Sequence, residues 1–265
     1  MAPDTVVLTQ PALRTAPLVA RLNARGFATE CWPMTLIAAA DGVNWEAVAR
    51  SFAASDWVVF PSPGAIAVTL AALRAADLDW PAGPSLGLVG RGSAEALMSW
   101  HTDWPALRDA RVLAPDGDDQ DAEALLALPE FAAVAGQRVA VIGRVGMEPR
   151  GVQALRARGA SVQVWGAYRV DPLAPPPHAG AWLASRAADR RAVAICVADS
   201  GSGRRLGEFV DRLPVGSWVR GQPLLTQHRR IAAALRADGW RCVHRHDPGT
   251  AGLVAALESM PDIDR

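Results

Sequence analysis

Lysine is absent from the sequence, so all 27 residues counted as lysine or arginine are arginines, and 27 aspartates and glutamates balance them. A protein without lysine cannot form a Schiff base with pyridoxal phosphate or a carbonyl substrate, and it lacks the lysine of P-loop NTPases and protein kinases. The formal net charge is zero, whereas proteins that bind nucleic acid usually carry a basic surplus. The composition therefore excludes three large enzyme classes and disfavours nucleic acid as a partner.

Cysteine is also scarce, and Cys31, Cys196 and Cys242 lie far apart in the chain. Their odd number argues against a disulfide framework and favours a reducing, cytoplasmic location. His244 and His246 alternate along a predicted strand, a spacing that can bind a metal ion, but no cluster of Cys, Asp or Glu accompanies them. We favour a structural or surface role for both histidines and expect no metal.

Two further absences concern membranes. The N-terminus has neither the basic region nor the apolar region of a signal peptide. No apolar run approaches the roughly 18 residues needed to span a bilayer. We therefore expect a cytoplasmic protein with no membrane partner.

The residues that are present alternate between short β-rich runs and helical stretches, as is typical of α/β proteins with parallel sheets. A strand over 6–10 is followed by a helix that ends at Gly26 and by a strand over 27–32. Further predicted strands cover 56–60, 85–89, 111–114, 137–142, 162–169, 192–197 and 223–227. About ten strands exceed the five or six of an ordinary sheet, so two similar α/β lobes fit better.

A helix that ends in glycine and continues into a strand occurs three times, at Gly26, Gly159 and Gly239. One such unit is expected in any α/β protein. Three copies, two of them with arginine immediately before the glycine, indicate an internal duplication.

The predicted breaks between the lobes lie at Pro33-Met34 and in the proline cluster 171–177, whose composition favours a semi-rigid connector. Residues 1–34 are too few to fold alone. We therefore expect them to join 173–265 in a first, discontinuous lobe, with 35–172 as a second, inserted lobe. Two chain crossings would then create a hinge and a cleft for the active site.

Ligands of parallel α/β sheets bind at the carboxyl ends of strands, near helix N-termini that favour anions. Short segments rich in glycine and serine follow several predicted strands here, among them 198–203 ahead of a helix predicted over 204–213. The serines could each merely cap a helix. Taken together, the strand ends favour a carboxylate-rich ligand, and the candidate binding residues are Thr9, Ser62, Gly90, Ser93, Arg144, Ser200, Gly201, His228 and Arg230.

Other signatures are incomplete. Gly90-Arg91-Gly92 lacks the third glycine of a dinucleotide-binding fingerprint, and there is no GxSxG nucleophile motif. Tyr168 is the single tyrosine of the chain and lies beside the predicted second crossing. It is either a half-buried strand aromatic or a proton donor in the cleft.

An ordered set of passages resembles the uroporphyrinogen-III synthase family. They are Thr9-Gln10-Pro11, Phe60–Ala65, Leu88–Ala94, Asp121–Leu126, Leu155–Ala160 with Tyr168-Arg169, and Thr226–Ala232. Gln10 departs from the family, where arginine is common, and Ala198-Asp199 replaces a pair of small hydroxyl residues. The loop 144–150 also fits the family pattern poorly.

The resemblance implies two α/β lobes, the second inserted into the first, joined by a two-stranded connector, with the active site in the cleft. It also implies a lyase of heme biosynthesis that works without a cofactor. The substrate would be hydroxymethylbilane, a linear tetrapyrrole with eight carboxylates, which closes to uroporphyrinogen III with ring D inverted through a spiro intermediate. Tyr168 is the candidate to assist the loss of water.

The expected partner is therefore a small tetrapyrrole, passed on by hydroxymethylbilane synthase to a monomeric enzyme. The alternative is a two-lobe protein that binds a tetrapyrrole or another small anion as a sensor, without catalysis. Comparing the isomers formed from hydroxymethylbilane would distinguish the two.

Overall fold

The computed structural model describes residues 3–12, 15–116, 121–247 and 249–260. Eleven strands are present in these residues: β1 (Thr5–Leu8), β2 (Ala28–Cys31), β3 (Thr35–Ala39), β4 (Trp57–Phe60), β5 (Ser85–Leu88), β6 (Val112–Leu113), β7 (Arg138–Arg144), β8 (Ser161–Pro172), β9 (Val193–Cys196), β10 (Leu224–Thr226) and β11 (Val243–Arg245).

The same residues form thirteen helices. They are α1 (Ala16–Asn23), α2 (Trp45–Ala53), α3 (Pro63–Ala75), α4 (Arg91–Met98), α5 (Pro105–Arg108), α6 (Ala122–Leu126), α7 (Pro129–Ala132), α8 (Val152–Ala157), α9 (Ala179–Ala188), α10 (Ser200–Val210), α11 (Gly216–Arg220), α12 (Arg229–Ala237) and α13 (Gly249–Glu258). None of the helices in the described ranges is both long and apolar enough to cross a membrane.

The chain divides into two compact units. Unit 1 comprises Met1–Leu36 and Asp171–Arg265, and unit 2 comprises Ile37–Val170. The chain passes from unit 1 to unit 2 within β3 and returns within β8, and these two strands are neighbours in one sheet. The expected class, two α/β lobes with the second inserted into the first through a two-stranded connection, is confirmed.

The chain returns to unit 1 between Val170 and Asp171. This second crossing comes just before the proline cluster 171–177, in which we expected the connector. Asp171 and Pro172 are the last residues of β8, and the N–H of Leu173 still donates to the carbonyl of Met34 at 3.0 Å. The extended backbone at 171–173 is therefore held by hydrogen bonds. The first crossing lies in β3, a strand that the sequence did not predict.

The sheet of unit 1 has the order β11-β10-β9-β1-β2, and its neighbouring strands are parallel. Leu8 of β1 pairs with Cys31 of β2 and with Cys196 of β9. Alternate residues point to opposite faces, so Val7 joins the core under α9, α10 and α12 while Val6 and Leu8 join the core under α1 and α13.

The sheet of unit 2 has the order β3-β8-β7-β4-β5-β6. The pairs β4–β5, β4–β7, β5–β6 and β7–β8 are parallel. Helices α2–α5 pack on one face, where Phe52, Phe60 and Trp80 are buried, and α6–α8 pack on the other, around Phe131. The two sheets can be compared by numbering the strands of each unit in chain order and leaving out β3. The strand order is then 3-2-1-4-5 in unit 2 and 2-1-3-4-5 in unit 1.

The repeated glycine signal has a local explanation. Gly26, Gly159 and Gly239 have φ values of 85°, 85° and 88°, in the left-handed region. In each case the next N–H bonds back to a leucine carbonyl five residues earlier at 3.1 Å: Phe27 to Leu22, Ala160 to Leu155, and Trp240 to Leu235. This is a Schellman helix end. Because the motif ends helices in both units, whose strand orders differ, its recurrence does not require a duplication.

Candidate active site

In unit 2, β5 and β6 lie on one side of β4, and the later strands β7 and β8 lie on its other side. The direction in which strands are added to the sheet therefore reverses between β4 and β7. Helices that leave neighbouring strands at such a point lie on opposite faces, which opens a crevice at the carboxyl ends of the strands. Pro61 and Ser62 follow β4 there, and β7 ends with Arg144.

Tyr168 lies next to this crevice. It is the residue of β8 that pairs with Arg144 of β7, and its carbonyl accepts the N–H of Val145 at 2.9 Å. The residue is 9% exposed, and the side chain of Ser62 lies close enough to the phenol to influence its pKa. Burial raises the pKa of the phenol above its usual value of 10.0, whereas Ser62 and the positive charge of Arg144 act in the opposite direction. Tyr168 is therefore neutral, with a proton to donate, at physiological pH.

Ser62 has a second contact, with helix α3. It is the N-cap residue, with extended backbone, and its Oγ accepts the N–H of Ala65 at 3.2 Å. Pro63 follows as the first helical residue, where a missing N–H costs nothing. The capping role weighed for Ser62 is confirmed, and the same side chain lies close to the Tyr168 phenol.

A cavity of about 420 Å³ opens beside Tyr168. This volume is within the range of pockets that bind small molecules. Its apolar wall includes Val59, Val89, Leu125, Phe131, Val141 and Val152, so it extends from the crevice onto the face of the sheet that α6–α8 cover.

Four charged side chains line the cavity: Asp121, Arg144, Glu148 and Arg150. Glu148 forms an ion pair with Arg156, and Asp121 caps helix α6 through its carboxylate. Both carboxylates are thus engaged by the protein itself. The cavity combines an apolar body with two guanidinium groups, which suits an apolar ring that carries acid substituents.

Arg150 and Glu148 were not among the residues predicted for the site. They belong to the loop between β7 and α8, which starts at the predicted residue Arg144 and fits the family pattern poorly. The loop holds two of the most exposed apolar side chains described, Val145 and Met147, at 52% and 59% exposure. The sequence signal that could have pointed to Glu148 and Arg150 was a segment with glycine and charged residues directly after a buried strand.

Gly90 and Ser93 lie at the carboxyl end of β5, the strand beside β4. Gly90 has a φ of 82° and precedes helix α4, so Ser93 falls in the first turn of that helix. The Ser93 side chain is completely buried, and its hydroxyl donates to the carbonyl of Val89 at 2.7 Å. This hydroxyl holds the turn together, and the backbone groups at Gly90 are candidates to face a ligand.

Unit 1 reverses strand order between β1 and β9. Thr9 follows β1 and has no exposed surface, and its hydroxyl donates to the carbonyl of Cys196 at 2.8 Å. This bond ties β1 to β9. The Thr9 side chain is therefore occupied in the fold.

Ser200 and Gly201 lie in the first turn of α10, which begins four residues earlier than predicted. Asp199 is the N-cap and accepts both the N–H and the hydroxyl of Ser202, at 2.7 and 2.6 Å. The predicted loop is helical because this cap starts the helix and because Gly203 lets α10 approach α12. A Cβ on Gly203 would lie 2.5 Å from Cδ2 of Leu235.

His228 and Arg230 are exposed at the start of α12, which follows β10. His246, after β11, is near His228, and burial is the main cause that lowers its pKa. Thr226, the last residue of β10, was not a predicted site residue. Its hydroxyl and that of Ser200 are buried without a hydrogen-bond partner in the described part of the chain. A buried hydroxyl without a partner is a candidate for a ligand contact.

The three cysteines are unpaired, as expected. Across the described ranges, no group of three or more His, Cys, Asp or Glu side chains is placed to hold a metal ion. Cys242 and His244 form one close pair, with Sγ and Nε2 3.0 Å apart.

A family model with the description "Uroporphyrinogen-III synthase HemD" matches residues 16–255. The chain belongs to the uroporphyrinogen-III synthase family. It is 29% identical over 259 residues to the uroporphyrinogen-III synthases of Escherichia coli K12 and Salmonella typhimurium LT2, covering 96% of this chain and 100% of each relative.

Solved structures of the family have the same fold. A mutant uroporphyrinogen III synthase from Thermus thermophilus superposes with a TM-score of 0.50 at 18% identity, covering 96% of this chain and 97% of that one. The Helicobacter pylori 26695 uroporphyrinogen-III synthetase gives 0.54 at 11% identity, covering 97% and 99%. At these identities the likeness establishes the fold.

Within this member of the uroporphyrinogen-III synthase family, the predicted site residues fall into two groups. Unit 2 brings together Ser62, Arg144 and Tyr168, with Gly90 and Ser93 one strand away. Unit 1 carries Thr9, Ser200, Gly201, His228 and Arg230 at the carboxyl ends of β1, β9 and β10.

Proposed function

We propose that this chain catalyses the ring closure of hydroxymethylbilane to uroporphyrinogen III, the reaction for which its family is named. Membership of the family over most of the chain supports the reaction. The single structural observation that carries the mechanism is the buried, neutral phenol of Tyr168 in the wall of a cavity that two arginines also line.

The reaction begins with the loss of water from the hydroxymethyl group of ring A. The pyrrole nitrogen supplies the electron pair that expels the hydroxyl group, which leaves as water once it has been protonated. The resulting azafulvene cation is attacked by the substituted α-carbon of ring D, giving a spiro intermediate. That intermediate fragments at its bond to the ring C side and closes again with ring D inverted, and loss of a proton restores the pyrrole.

Tyr168 is the proposed donor of the proton to the leaving hydroxyl. A donor must still hold its proton at the working pH, and the raised pKa of the buried phenol satisfies this condition. The proton released at the end of the reaction restores the phenol. Because the pyrroles supply the electrons, the remaining work of the protein is to bind and fold the substrate.

The carboxylates of the substrate require positive charge and free N–H groups. We assign these contacts to Arg144 in unit 2, to His228 and Arg230 in unit 1, and to the backbone at Gly90, Ser200 and Gly201. Helix N-termini favour anions at such positions. The hydroxyls of Thr9 and Ser93 act indirectly, by holding strand ends in place.

Other parts of the proposal concern the setting of the enzyme. The enzyme acts as a cytoplasmic monomer, receives its labile substrate from hydroxymethylbilane synthase and uses no cofactor. The chemistry above requires none, since the electrons come from the substrate.

The test is to add the purified chain to hydroxymethylbilane generated by its synthase, and to separate the type I and type III isomers after oxidation to porphyrins. Type III isomer well above a buffer control is expected. Type I isomer alone, which also forms spontaneously, would instead support the non-catalytic tetrapyrrole-binding protein.

A further inference from the structure

We propose that the cavity beside Tyr168 is a subsite for one pyrrole ring of the substrate, and that Arg150 is the residue of its lining that recognises an acid arm of that ring. The inference rests on the proposed function for the identity of the ligand. It adds to that function a place for a single ring and a specificity-determining residue outside the predicted set.

The volume of the cavity suits one ring of the substrate. At about 420 Å³ it lies near the lower end of the roughly 300–1,000 Å³ that is typical of pockets for drug-sized ligands. A linear tetrapyrrole with eight acid arms is larger than a drug-sized ligand, whereas a single pyrrole ring with two acid arms is smaller. The cavity can therefore receive one ring, and the rest of the substrate must lie outside it.

The inner part of the cavity is apolar. It is lined from the sheet by Val59 and Val141 and from the helices by Leu125, Phe131 and Val152, and each of these residues is at most 7% exposed. None of the buried side-chain N or O atoms that lack a hydrogen-bond partner in the described ranges belongs to a residue of this lining. This part of the cavity suits the face of a ring, and burying a carboxylate against it would be costly.

The two carboxylates of the lining are already engaged by the protein. Glu148 forms an ion pair with Arg156, and Asp121 accepts the N–H of Ala124 at 2.9 Å as the cap of α6. Each carboxylate thus has a partner of its own, which leaves the cationic side chains of the lining to a ligand.

The two arginines of the lining differ in what they already bind. Nη2 of Arg144 donates to the carbonyl of Val170 at 3.0 Å, so part of this guanidinium is used by the fold. Arg150 is exposed and has no hydrogen bond or ion pair with the described residues. An arginine stays charged at physiological pH, and its planar N–H groups can form two parallel hydrogen bonds with a carboxylate. Arg150 therefore has the most hydrogen-bonding capacity left for an acid arm.

The backbone after Arg150 fixes its place beside the cavity. Gly151 is the N-cap of α8 with a φ of 88°, and a Cβ there would lie 2.9 Å from Cδ1 of Leu126. Glycine allows both the left-handed backbone and the close approach to α6. Arg150 is thus held next to the cavity by its backbone, while its guanidinium stays free to contact a ligand.

The first experiment measures binding without the reaction, by calorimetry on the full chain. The probe is porphobilinogen, a single pyrrole ring with one acetate and one propionate arm, and a ligand of this size should bind with a Kd of about 0.3 mM. Arg150→Gln should weaken binding about tenfold, through the loss of a charge-assisted contact. The matched control is Arg50→Gln on α2, which removes the same charge from a side chain that is 69% exposed on the other face of the sheet. It should leave the Kd unchanged.

The second experiment fills the apolar part of the cavity. Ala122 lines the cavity and is half-buried at the start of α6, so Ala122→Leu takes up space that the ring needs. It should weaken binding of the probe about tenfold. The control is Ala124→Leu, the same change at a half-buried residue of the same helix that is not part of the lining. This variant should bind the probe as the wild type does.

The isomer assay then links the subsite to turnover. Arg150→Gln should raise KM about tenfold with little change in kcat, because the contact is made equally in the bound substrate and in the transition state. A change confined to kcat would contradict the proposed role.

Three binding results would also overturn the proposal. They are no binding of the probe to the wild type at about 10 mM, well above the expected Kd, an equal Kd for the wild type and Arg150→Gln, or equal weakening in a variant and its control. Should Ala122→Leu fail to fold, Arg150→Gln still decides, since its side chain is exposed. Failure of the wild type to form the type III isomer would refute the function, whereas the calorimetry would still decide whether the cavity binds a pyrrole acid.

Discussion

The two units differ in what they bury. Eleven polar or charged residues are buried in the described part of the chain, and only Thr69 and Ser93 belong to unit 2. Unit 1 holds the other nine, including the buried arginines Arg186 and Arg220. Unit 2 instead buries clustered rings, such as Phe52 with Phe60 and Trp80.

Five of the nine buried polar residues of unit 1, namely Thr5, Thr9, Thr35, Arg186 and Ser202, bond between its two separate segments. Thr9 bonds to the carbonyl of Cys196, and the hydroxyls of Thr35 and Ser202 lie 3.1 Å apart. Arg186 bonds to Asp4 and, at 3.0 Å, to Thr5. Apolar contacts are not directional, whereas a buried hydrogen bond is satisfied in one register only. Buried hydrogen bonds thus fix how the two distant segments of unit 1 pair with each other. The continuous unit 2 has less need of such bonds.

This contrast separates stability from activity. The buried polar side chains of unit 1 are mostly occupied in the fold, whereas Arg144 and Tyr168 of unit 2 line a cavity. Substitutions in the first group should therefore affect folding, and substitutions in the second should affect turnover.

The largest expected effect is on turnover. Tyr168→Phe removes the proposed proton donor and should reduce kcat for the type III isomer about 10²–10³-fold. Thermal denaturation should change little, because the ring remains packed. An unchanged rate of type III formation would remove Tyr168 from the reaction without removing the function.

The next effect is on the free energy of unfolding. Arg186→Met leaves Asp4 with Arg191 as its remaining cationic partner and should cost about 3 kcal/mol, measured by urea denaturation. The matched change in unit 2 is Arg158→Met, which removes hydrogen bonds to two neutral carbonyls and should cost about 1 kcal/mol. Equal losses in the two variants would contradict the contrast between the units.

The free energy of unfolding of these two variants should also depend differently on pH. Burial raises the pKa of Asp4, but hydrogen bonds from Thr5, Arg186 and Arg191 outweigh it and hold the pKa below 3.8. The stabilisation is therefore present above pH 3.8 and is lost as the pH falls through the lowered value. Arg186→Met should weaken this acid dependence, whereas Arg158→Met should leave it intact.

The smallest effect concerns the helix caps at the two points of strand reversal. The cap of α3 is the neutral Ser62, whereas the cap of α10 is the carboxylate of Asp199, which we expect to repel an acidic substrate. Asp199→Asn keeps a good cap and removes the charge, so KM should fall about threefold, with an advantage that shrinks at high salt. A KM that stays the same or rises would show that Asp199 does not oppose substrate binding.

Most of the sheet could be predicted from the sequence because its central strands are continuous apolar runs. The strand β3 was missed, since Thr35–Ala39 follows a proline and ends in alanines that are only half-buried. The start of α10 was misplaced because glycine in a sequence indicates a loop, whereas Gly203 serves close packing on Leu235. Both errors arise from contacts between distant residues.

The type of site could be predicted from the sequence, but the contacts of its individual side chains could not. The unique Tyr168 and the serines at strand ends drew attention through position alone. A sequence does not reveal whether a hydroxyl is already engaged by the fold, as in Thr9, Ser62 and Ser93. Ser62 follows β4 and Tyr168 belongs to β8, so their proximity is visible only once the sheet order is known.

The placement of one unit inside the other has a consequence for synthesis. Leu8 pairs with Cys196, yet all of unit 2 lies between them in the chain. Since translation runs from the amino end, unit 2 is complete before the first residue of β9 is added, and β1 and β2 alone are too small a sheet to be stable. The inserted unit 2 can thus fold on the ribosome before unit 1, whose strand β9 is made later.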